Sequence, residues 1–244
     1  MASNNLVLHF LNDSRAETIV WLVEELGVDY EIKFYQRSGS LLAPKELKNI
    51  HPLGKSPVIT HDGNTIAESG AIIAYLLRTF DTSESGPRFS TFKDEKSRIQ
   101  NDYFEHYAEG SLMPILVNKL VFSKFPQMAP WYVRPVIAGF ADQVRASWLD
   151  KQLATHLQMI DGELKKSSTG WFCNSEEPTG ADFSMFFPLF KLAKGRGGAL
   201  EAPESIKTWV AKAMDRPANV RAHQRIKDAE EAQAVANPSE SSKL

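Results

Sequence analysis

Cysteine, blocks of like charge and long apolar stretches are scarce in this sequence. Its 244 residues include one cysteine, Cys173, so no disulfide can form within the chain and a reducing compartment is expected. Basic residues number 28 and acidic residues 30, a balance that gives no support for binding to nucleic acid. No apolar stretch is long enough to cross a bilayer, and the first residues lack the basic region of a secretory signal. We therefore expect a cytoplasmic protein with neither a transmembrane segment nor a nucleic-acid partner.

Metal-binding and phosphate-binding motifs are also missing from the sequence. The six histidines, none at metal-ligand spacing, are His9, His51, His61, His106, His156 and His223. We therefore expect neither a metal nor another bound cofactor. Residues 195–198 are rich in glycine, but no strand pattern precedes them and no Gly-Lys-Ser follows, so we expect a flexible helix connection. Cys173 is expected to be an inert residue in a loop.

The first part of the chain alternates between strand and helix patterns. Residues 6–11 form a short apolar run that is typical of a buried strand. Residues 12–14 are a turn cluster, and the apolar spacing from Arg15 predicts a helix that ends at Gly27. Residues 30–35 alternate and are rich in strand formers, which predicts a second strand. This strand–helix–strand order implies a parallel pair with a right-handed crossover.

The next stretch predicts a short helix, a hairpin and a longer helix. Pro44 stands at the start of the short helical pattern. A β-branched run begins after Pro57, and residues 62–64 form an Asp-Gly hairpin turn that joins two antiparallel strands. Ser69 is a suitable helix N-cap, and residues 70–80 carry apolar side chains at helical spacing. The resulting order, βαβ, α and ββα, is that of a thioredoxin-like domain.

Strand patterns fade after this domain, and the rest of the chain is helical in pattern. Pro114 is expected to kink or divide a long helix, and Phe125-Pro126 to end it. Thr179 and Asp182 are spaced as a capping box at the head of another helix. We divide the chain into a thioredoxin-like domain, a linker, an all-helical substrate domain and a disordered tail, at residues 1–80, 81–92, 93–236 and 237–244.

Several short motifs, weak singly but specific together, are similar to those of cytosolic-type glutathione transferases. They are Asp13-Ser14-Arg15-Ala16, Trp21-Leu22, Ala43-Pro44-Lys45-Glu46-Leu47-Lys48, His51-Pro52-Leu53-Gly54-Lys55-Ser56-Pro57, Ala67-Glu68-Ser69-Gly70 and Glu109-Gly110-Ser111-Leu112. Apart from a few residues at each end, the chain resembles the fungal branch of this family that includes a yeast transferase. The resemblance implies an α/β thioredoxin-like N-terminal domain, an all-α C-terminal bundle and a homodimer. It also implies glutathione as co-substrate and a groove for a hydrophobic electrophilic small molecule.

The resemblance assigns a set of residues to glutathione. They are Arg37, Lys55, Ser56, Pro57, Glu68 and Ser69. A cis bond before Pro57 would turn the Ser56 peptide group outward, where an extended ligand can pair with it. Glu68 would meet the ammonium of the γ-glutamyl group. The carboxylate of that same group would lie at the helix N-terminus beside Ser69. Lys55 would meet the glycyl carboxylate, and Arg37 would assist from the loop after the second strand.

The first strand–helix turn narrows the chemistry that the resemblance implies. Thiol–disulfide transferases of this fold keep a cysteine there, and this sequence has neither a cysteine nor a tyrosine at residues 12–14. The remaining task is to stabilise the glutathione thiolate with a hydrogen bond at the start of the first helix. Ser14 matches the position of the hydroxyl in serine-type transferases, and Asn12 is the alternative donor. Asp13 is a poor candidate because a carboxylate raises the pKa of a neighbouring thiol.

In the family, the first long helix of the second domain lines the electrophile groove. The residues expected there are Tyr103, Tyr107, Glu109 and Met113. The alternative for each of them is packing inside the helical bundle, and for Leu112 we favour that alternative.

The expected function is glutathione transfer to an electrophilic carbon or to an organic hydroperoxide, as in detoxification. One alternative is a non-catalytic interaction or regulatory module of the same fold, since fold does not determine function. The presence of Lys55, Glu68 and Ser69 counts against that alternative, because a scaffold does not need this set. A second alternative is a dedicated biosynthetic enzyme that adds glutathione to one pathway intermediate.

Overall fold

The computed structural model of the protein describes residues 5–37, 42–82 and 86–236. The chain divides into two compact units, one drawn from Met1–Thr91 and Ala213–Leu244 and the other from Phe92–Lys212. Within the described residues, no helix is both long and apolar enough to span a membrane. The predicted tail and the middle of the predicted linker lie outside the described residues.

A four-stranded mixed sheet forms the centre of the first unit. Its strands are β1 (Val7–Leu11), β2 (Glu31–Tyr35), β3 (Val58–His61) and β4 (Asn64–Ala67). Their order across the sheet is β2-β1-β3-β4. Strand β1 runs parallel to β2 and antiparallel to β3, and β3 pairs antiparallel with β4 across the predicted hairpin turn. This topology confirms the predicted thioredoxin-like fold.

Three helices accompany the sheet in the order that the sequence predicts. They are α1 (Ala16–Leu26), α2 (Leu47–Ile50) and α3 (Ser69–Phe80). Helix α1 ends at Gly27, whose φ of 67° is the left-handed conformation that glycine adopts without strain. Its inner face is fully buried through Ile19, Trp21 and Leu22. This helix therefore anchors the turn that precedes it to the core of the unit.

The last helix, α10 (Pro217–Ala236), belongs to the first unit, which differs from the predicted boundary. The Arg221 guanidinium donates to Glu24 of α1 at 2.8 Å. Just before α10, Arg216 donates to the buried Glu25 carboxylate through two nitrogens, with Nη2 at 2.8 Å from Oε2. The sequence pattern showed a helix here, but it could not show which distant acids the helix would meet.

In the part that the structure describes, the second unit consists of helices and the loops that join them. Its helices are α4 (Glu95–Tyr107), α5 (Met113–Lys124), α6 (Arg134–Val144), α7 (Asp150–Lys166), α8 (Gly180–Lys191) and α9 (Glu204–Met214), the last of which crosses the unit boundary. A π-helical turn, Ala108–Leu112, separates α4 from α5, and Pro114 lies in the first turn of α5. The predicted division of the long helix at Pro114 is therefore confirmed.

The predicted capping box opens α8 inside the core of the second unit. The fully buried Asp182 carboxylate accepts from the Thr179 N–H at 2.9 Å and from the Phe172 N–H at 3.0 Å. The indole N–H of Trp209 donates to the same carboxylate at 3.2 Å. Burial raises the pKa of Asp182 to about 6 despite these donors. Cys173 is buried beside this network, and burial raises the pKa of its thiol to about 12, as expected for an inert cysteine.

Candidate functional site

The β1–α1 turn brings together the predicted thiol-activating residues. Asp13 has a φ of 48°, in the left-handed region that aspartate tolerates better than most residues. Ser14 follows it and is buried, and its Oγ accepts the Ala16 N–H at 3.2 Å. The chain therefore reverses at Asp13 and presents Ser14 at the start of α1.

The Ser56 side chain connects this turn to the opposite end of the site. Its Oγ accepts the Leu11 N–H at 3.1 Å and donates to the His9 carbonyl at 2.8 Å. The same Oγ lies 3.4 Å from the Oγ of Ser14. Because the single Ser56 hydroxyl proton goes to the His9 carbonyl, Ser14 is the donor of the pair. Sequence reasoning assigned only the backbone of Ser56 to the site and missed this role of its side chain.

The Ser56 peptide group is available for a ligand. The Ser56–Pro57 bond is cis. Continuing the β1–β3 register places Leu11 opposite Ser56, and the Ser56 hydroxyl, not its carbonyl, receives the Leu11 N–H. Among the described residues, the backbone N–H and C=O of Ser56 make no hydrogen bond. An extended peptide could therefore pair with them as an added strand.

Arg37 braces the β1–α1 turn from the end of β2. Its backbone N–H donates to Asn12 Oδ1 at 2.8 Å, and its Nε donates to the Asn12 carbonyl at 3.0 Å. A third contact runs from Nη2 to the Asp13 carbonyl at 3.4 Å. The Asn12 side-chain oxygen is thus engaged, and its Nδ2 is the half of the amide that can donate to a ligand. The structure places Arg37 against the turn itself, a contact that the sequence did not predict.

The β4–α3 junction holds an unusual backbone conformation at Glu68. Its φ of 69° and ψ of 121° are costly for a residue with a Cβ, by about 1–3 kcal/mol. The Glu68 carbonyl accepts the Ile72 N–H at 2.9 Å, while its side chain is exposed. Ser69 is buried and is the first helical residue, so the prediction that Ser69 is the N-cap was wrong by one position. Strained residues of this kind cluster at ligand sites.

Lys55 follows a tight turn that ends at Gly54. The Gly54 N–H donates to the His51 carbonyl at 2.8 Å, and its φ is 58°. A Cβ at this position would lie 2.7 Å from Cγ of Lys48, so the turn requires glycine. Lys55 is exposed, and its ammonium has no carboxylate partner among the residues that the structure describes. Its positive charge is therefore available to a ligand next to the Ser56 peptide group.

The candidate electrophile residues separate into exposed and packed side chains. Tyr103 is 50% exposed, whereas Tyr107 is 7% and Met113 3% exposed. The Tyr107 hydroxyl pairs with Nδ1 of His156, and burial raises the pKa of this phenol. Glu109 is half-buried in the π-helical turn. Tyr107 and Met113 are thus buried in the second unit, whereas half of Tyr103 is exposed to solvent.

Comparison with known proteins identifies the family. Residues 6–78 match the N-terminal domain of glutathione S-transferases. Over 225 residues the chain is 35% identical to glutathione S-transferase 3 of Schizosaccharomyces pombe, which covers 91% of this chain and 88% of that protein. The chain belongs to the glutathione S-transferase family.

Two further comparisons agree with that membership. Glutathione S-transferase 1 of Saccharomyces cerevisiae is 31% identical over 210 residues, which covers 83% of this transferase-family chain and 87% of the yeast protein. The crystal structure of a glutathione S-transferase from Actinobacillus pleuropneumoniae aligns with a TM-score of 0.71 at 27% identity, over 91% of this chain and 93% of that one. The predicted fold and the resemblance to fungal glutathione transferases are confirmed.

Proposed function

We propose that this protein is a glutathione transferase that stabilises the glutathione thiolate for attack on an electrophilic carbon or an organic hydroperoxide. The observation that carries the proposal is the pair of hydroxyl groups of Ser14 and Ser56, 3.4 Å apart beside the available Ser56 peptide group. A peptide that pairs with Ser56 would bring its central residue to the end of β1, where α1 begins. In glutathione that central residue is cysteine.

The ends of glutathione are assigned by charge. The exposed ammonium of Lys55 supplies a partner for the glycyl carboxylate. At the other end, the first-turn amides of α3 favour the γ-glutamyl carboxylate, and the exposed Glu68 carboxylate favours its ammonium. The strained backbone at Glu68 supports this assignment, because strained residues of this kind cluster at ligand sites.

Ser14 is proposed as the group that activates the thiol. A free thiol has a pKa near ~8.5, and lowering it by about two units requires roughly 2.7 kcal/mol of preferential thiolate stabilisation. The Ser14 hydroxyl donates to Ser56 Oγ in this structure. A thiolate is a charged and therefore stronger acceptor, so the hydroxyl proton would turn to the sulfur when glutathione binds. Asn12 remains the second candidate through its Nδ2 group.

The partners that go with this function are a hydrophobic electrophile and a second copy of the chain. A group of exposed apolar side chains around α6 supports association of two chains through their second units. The group consists of Met128, Trp131, Tyr132, Val136 and Phe140. We place the protein in the cytoplasm, where glutathione is reduced and abundant. Sedimentation velocity at micromolar concentration should give a dimer, and a monomer at all concentrations would contradict this part of the proposal.

The experiment that tests the proposed function is a glutathione-dependent assay across electrophiles. The panel should include an aryl halide, an α,β-unsaturated carbonyl compound and an organic hydroperoxide. Each compound is measured with the wild-type protein and with the Ser14→Ala variant. Turnover that requires glutathione and is slower in Ser14→Ala supports the proposal that the protein is a glutathione transferase. Retention on immobilised glutathione with no turnover of any compound would instead favour the non-catalytic module. Turnover of a single compound class would favour a dedicated biosynthetic enzyme.

A further inference from the structure

Arg37, just after β2, binds the backbone of the β1–α1 turn at several points. Its own backbone N–H donates to Asn12 Oδ1 at 2.8 Å, and the Asn12 N–H donates to the Tyr35 carbonyl at 3.1 Å. The Arg37 guanidinium donates from Nε to the Asn12 carbonyl at 3.0 Å and from Nη2 to the Asp13 carbonyl at 3.4 Å. One side chain therefore binds two consecutive carbonyl groups of the turn that leads to Ser14.

These contacts with carbonyl groups fix the direction of the amides that follow them. The peptide bonds after Asn12 and Asp13 are trans, and in a trans peptide group the N–H points opposite to the C=O. The N–H groups of Asp13 and Ser14 therefore point away from the Arg37 guanidinium. Asp13 has a left-handed φ of 48°, and Arg15 is right-handed with a φ of −63°. Successive amides in a turn of this kind form a concavity that favours an anion.

The Ser14 N–H is a donor that the protein itself does not use. It has no acceptor among the residues that the structure describes, although Ser14 is only 5% exposed. Buried backbone N–H groups nearly always have an acceptor, so a ligand atom at this point would complete the turn. The Ser14 hydroxyl lies 3.4 Å from Ser56 Oγ, beside the available Ser56 peptide group. Ser14 therefore offers two donors, its hydroxyl and its N–H, at the start of α1.

The contacts of Arg37 with the turn depend on the shape of its side chain as well as on its charge. A guanidinium is a planar fork whose N–H groups have fixed directions, so it can bind two neighbouring carbonyls at once. A lysine ammonium carries the same charge at a single point on a flexible stem and cannot reproduce this geometry. A change from arginine to lysine therefore separates the two contributions, because it keeps the charge and loses the fork.

We propose that Arg37 is a positioning residue that directs the Ser14 N–H towards the glutathione sulfur as a second donor. It does so by holding the carbonyls of Asn12 and Asp13. The inference rests on the proposed function and deepens it. It assigns Arg37 a place behind the turn instead of the contact with glutathione that the family resemblance implies. It also adds a backbone donor that Ser14→Ala does not remove.

The test compares Arg37→Lys and Arg37→Gln with the wild-type chain, each also in combination with Ser14→Ala. The matched control is Lys33→Gln, which removes a positive charge from an exposed position of β2. Thiolate absorbance against pH gives the pKa of bound glutathione. Calorimetry gives the affinity for S-methylglutathione, which has no ionisable thiol and so reports whether the site is intact.

Both Arg37 variants should raise the pKa of bound glutathione by about half a unit to one unit, because a donor to the thiolate is misdirected. The rise should persist in the Ser14→Ala background, since the N–H remains there. The affinity for S-methylglutathione should stay within about twofold of wild type, because Arg37 does not contact the ligand. Lys33→Gln should change neither quantity.

Three results would overturn the inference. A wild-type pKa in Arg37→Lys would mean that Arg37 acts through its charge alone. An affinity for S-methylglutathione at least about tenfold weaker in both variants would place Arg37 in contact with the ligand. The absence of a further rise in the Ser14→Ala background would mean that only the hydroxyl is positioned. Failure of the wild-type chain to bind either glutathione or S-methylglutathione would instead contradict the proposed function itself.

Discussion

Ser14 donates its hydroxyl proton to Ser56, a residue 42 positions away in the sequence, across a distance of 3.4 Å. Ser56 can accept it because its own proton is fixed on the His9 carbonyl. The bond orients the Ser14 hydroxyl towards the end of the site where the Ser56 peptide group is available. On the proposed placement of glutathione, this hydroxyl proton would have to turn from Ser56 Oγ to the sulfur when the ligand binds.

Ser14→Ala should raise the pKa of bound glutathione by one unit or more. The variant loses the hydroxyl donor, which favours the thiolate over the thiol. Thiolate absorbance against pH measures the shift, and glutathione affinity from calorimetry should change little. The variant should also lose about 1 kcal/mol of stability, because the Ala16 N–H loses its acceptor. A comparable rise found only in Asn12→Ala would assign the role to Asn12 and reject Ser14.

Ser56→Ala should destabilise the first unit more than an ordinary surface change. It leaves the Leu11 N–H and the His9 carbonyl without their partner, at a cost of about 1–3 kcal/mol. Urea unfolding measures the loss, and Ser56→Thr is the control that keeps the hydroxyl. Surface substitutions usually change stability by less than about 0.5 kcal/mol. A change of that size in Ser56→Ala would mean that the two hydrogen bonds do not contribute to stability.

Glu68→Gly and Glu68→Ala should separate binding from stability. Both remove the carboxylate that is proposed to meet the γ-glutamyl ammonium, so both should weaken glutathione binding at least tenfold. Glycine alone adopts a φ of 69° without strain, so Glu68→Gly should be the more stable variant, by about 1 kcal/mol. Calorimetry and thermal unfolding on the same samples test both points. Wild-type affinity in either variant would show that the placement of glutathione is wrong.

Acid should destabilise the protein through His9. Burial, together with the nearby Lys33, lowers the pKa of His9 below its ordinary value. The unfolded chain therefore binds the proton more readily, so stability is retained above about pH 6.5 and falls as the pH drops from there towards the lowered folded pKa. His9→Gln should flatten this fall in urea midpoints, and His106→Gln, at an exposed position, should not. Equal slopes in all three proteins would exclude His9 as the source.

Tyr103 and Tyr107 should respond differently to truncation. Tyr107→Ala removes a buried ring and its bond to His156, and should cost about 3 kcal/mol or more in stability. Tyr103→Ala removes an exposed ring, and should change the ratio of kcat/KM values between a bulky and a small electrophile with little loss of stability. Thermal unfolding and a two-substrate assay make the comparison. A large loss of stability in Tyr103→Ala would assign this residue to the bundle as well.

Local patterns predicted the local structure well. The hairpin at residues 62–64 and the capping box of Thr179 and Asp182 depend on neighbours within four positions, and both formed as expected. Ser69 was misplaced by one position because the unusual φ of Glu68 leaves no trace in residue type. The long-range contacts were missed for a different reason. The partner of Ser14 is 42 positions away and that of Glu24 is 197 positions away, so no periodicity connects them.

The contacts of α10 with α1 also have a consequence for synthesis. The first unit is built from both ends of the chain, and the ribosome makes all of Phe92–Lys212 in between. Glu24 and Glu25 therefore leave the ribosome long before Arg216 and Arg221, the cations that neutralise them. Until those residues emerge, the outer face of α1 carries two uncompensated acids. The first unit is thus begun before Phe92–Lys212 is translated and is completed only after it.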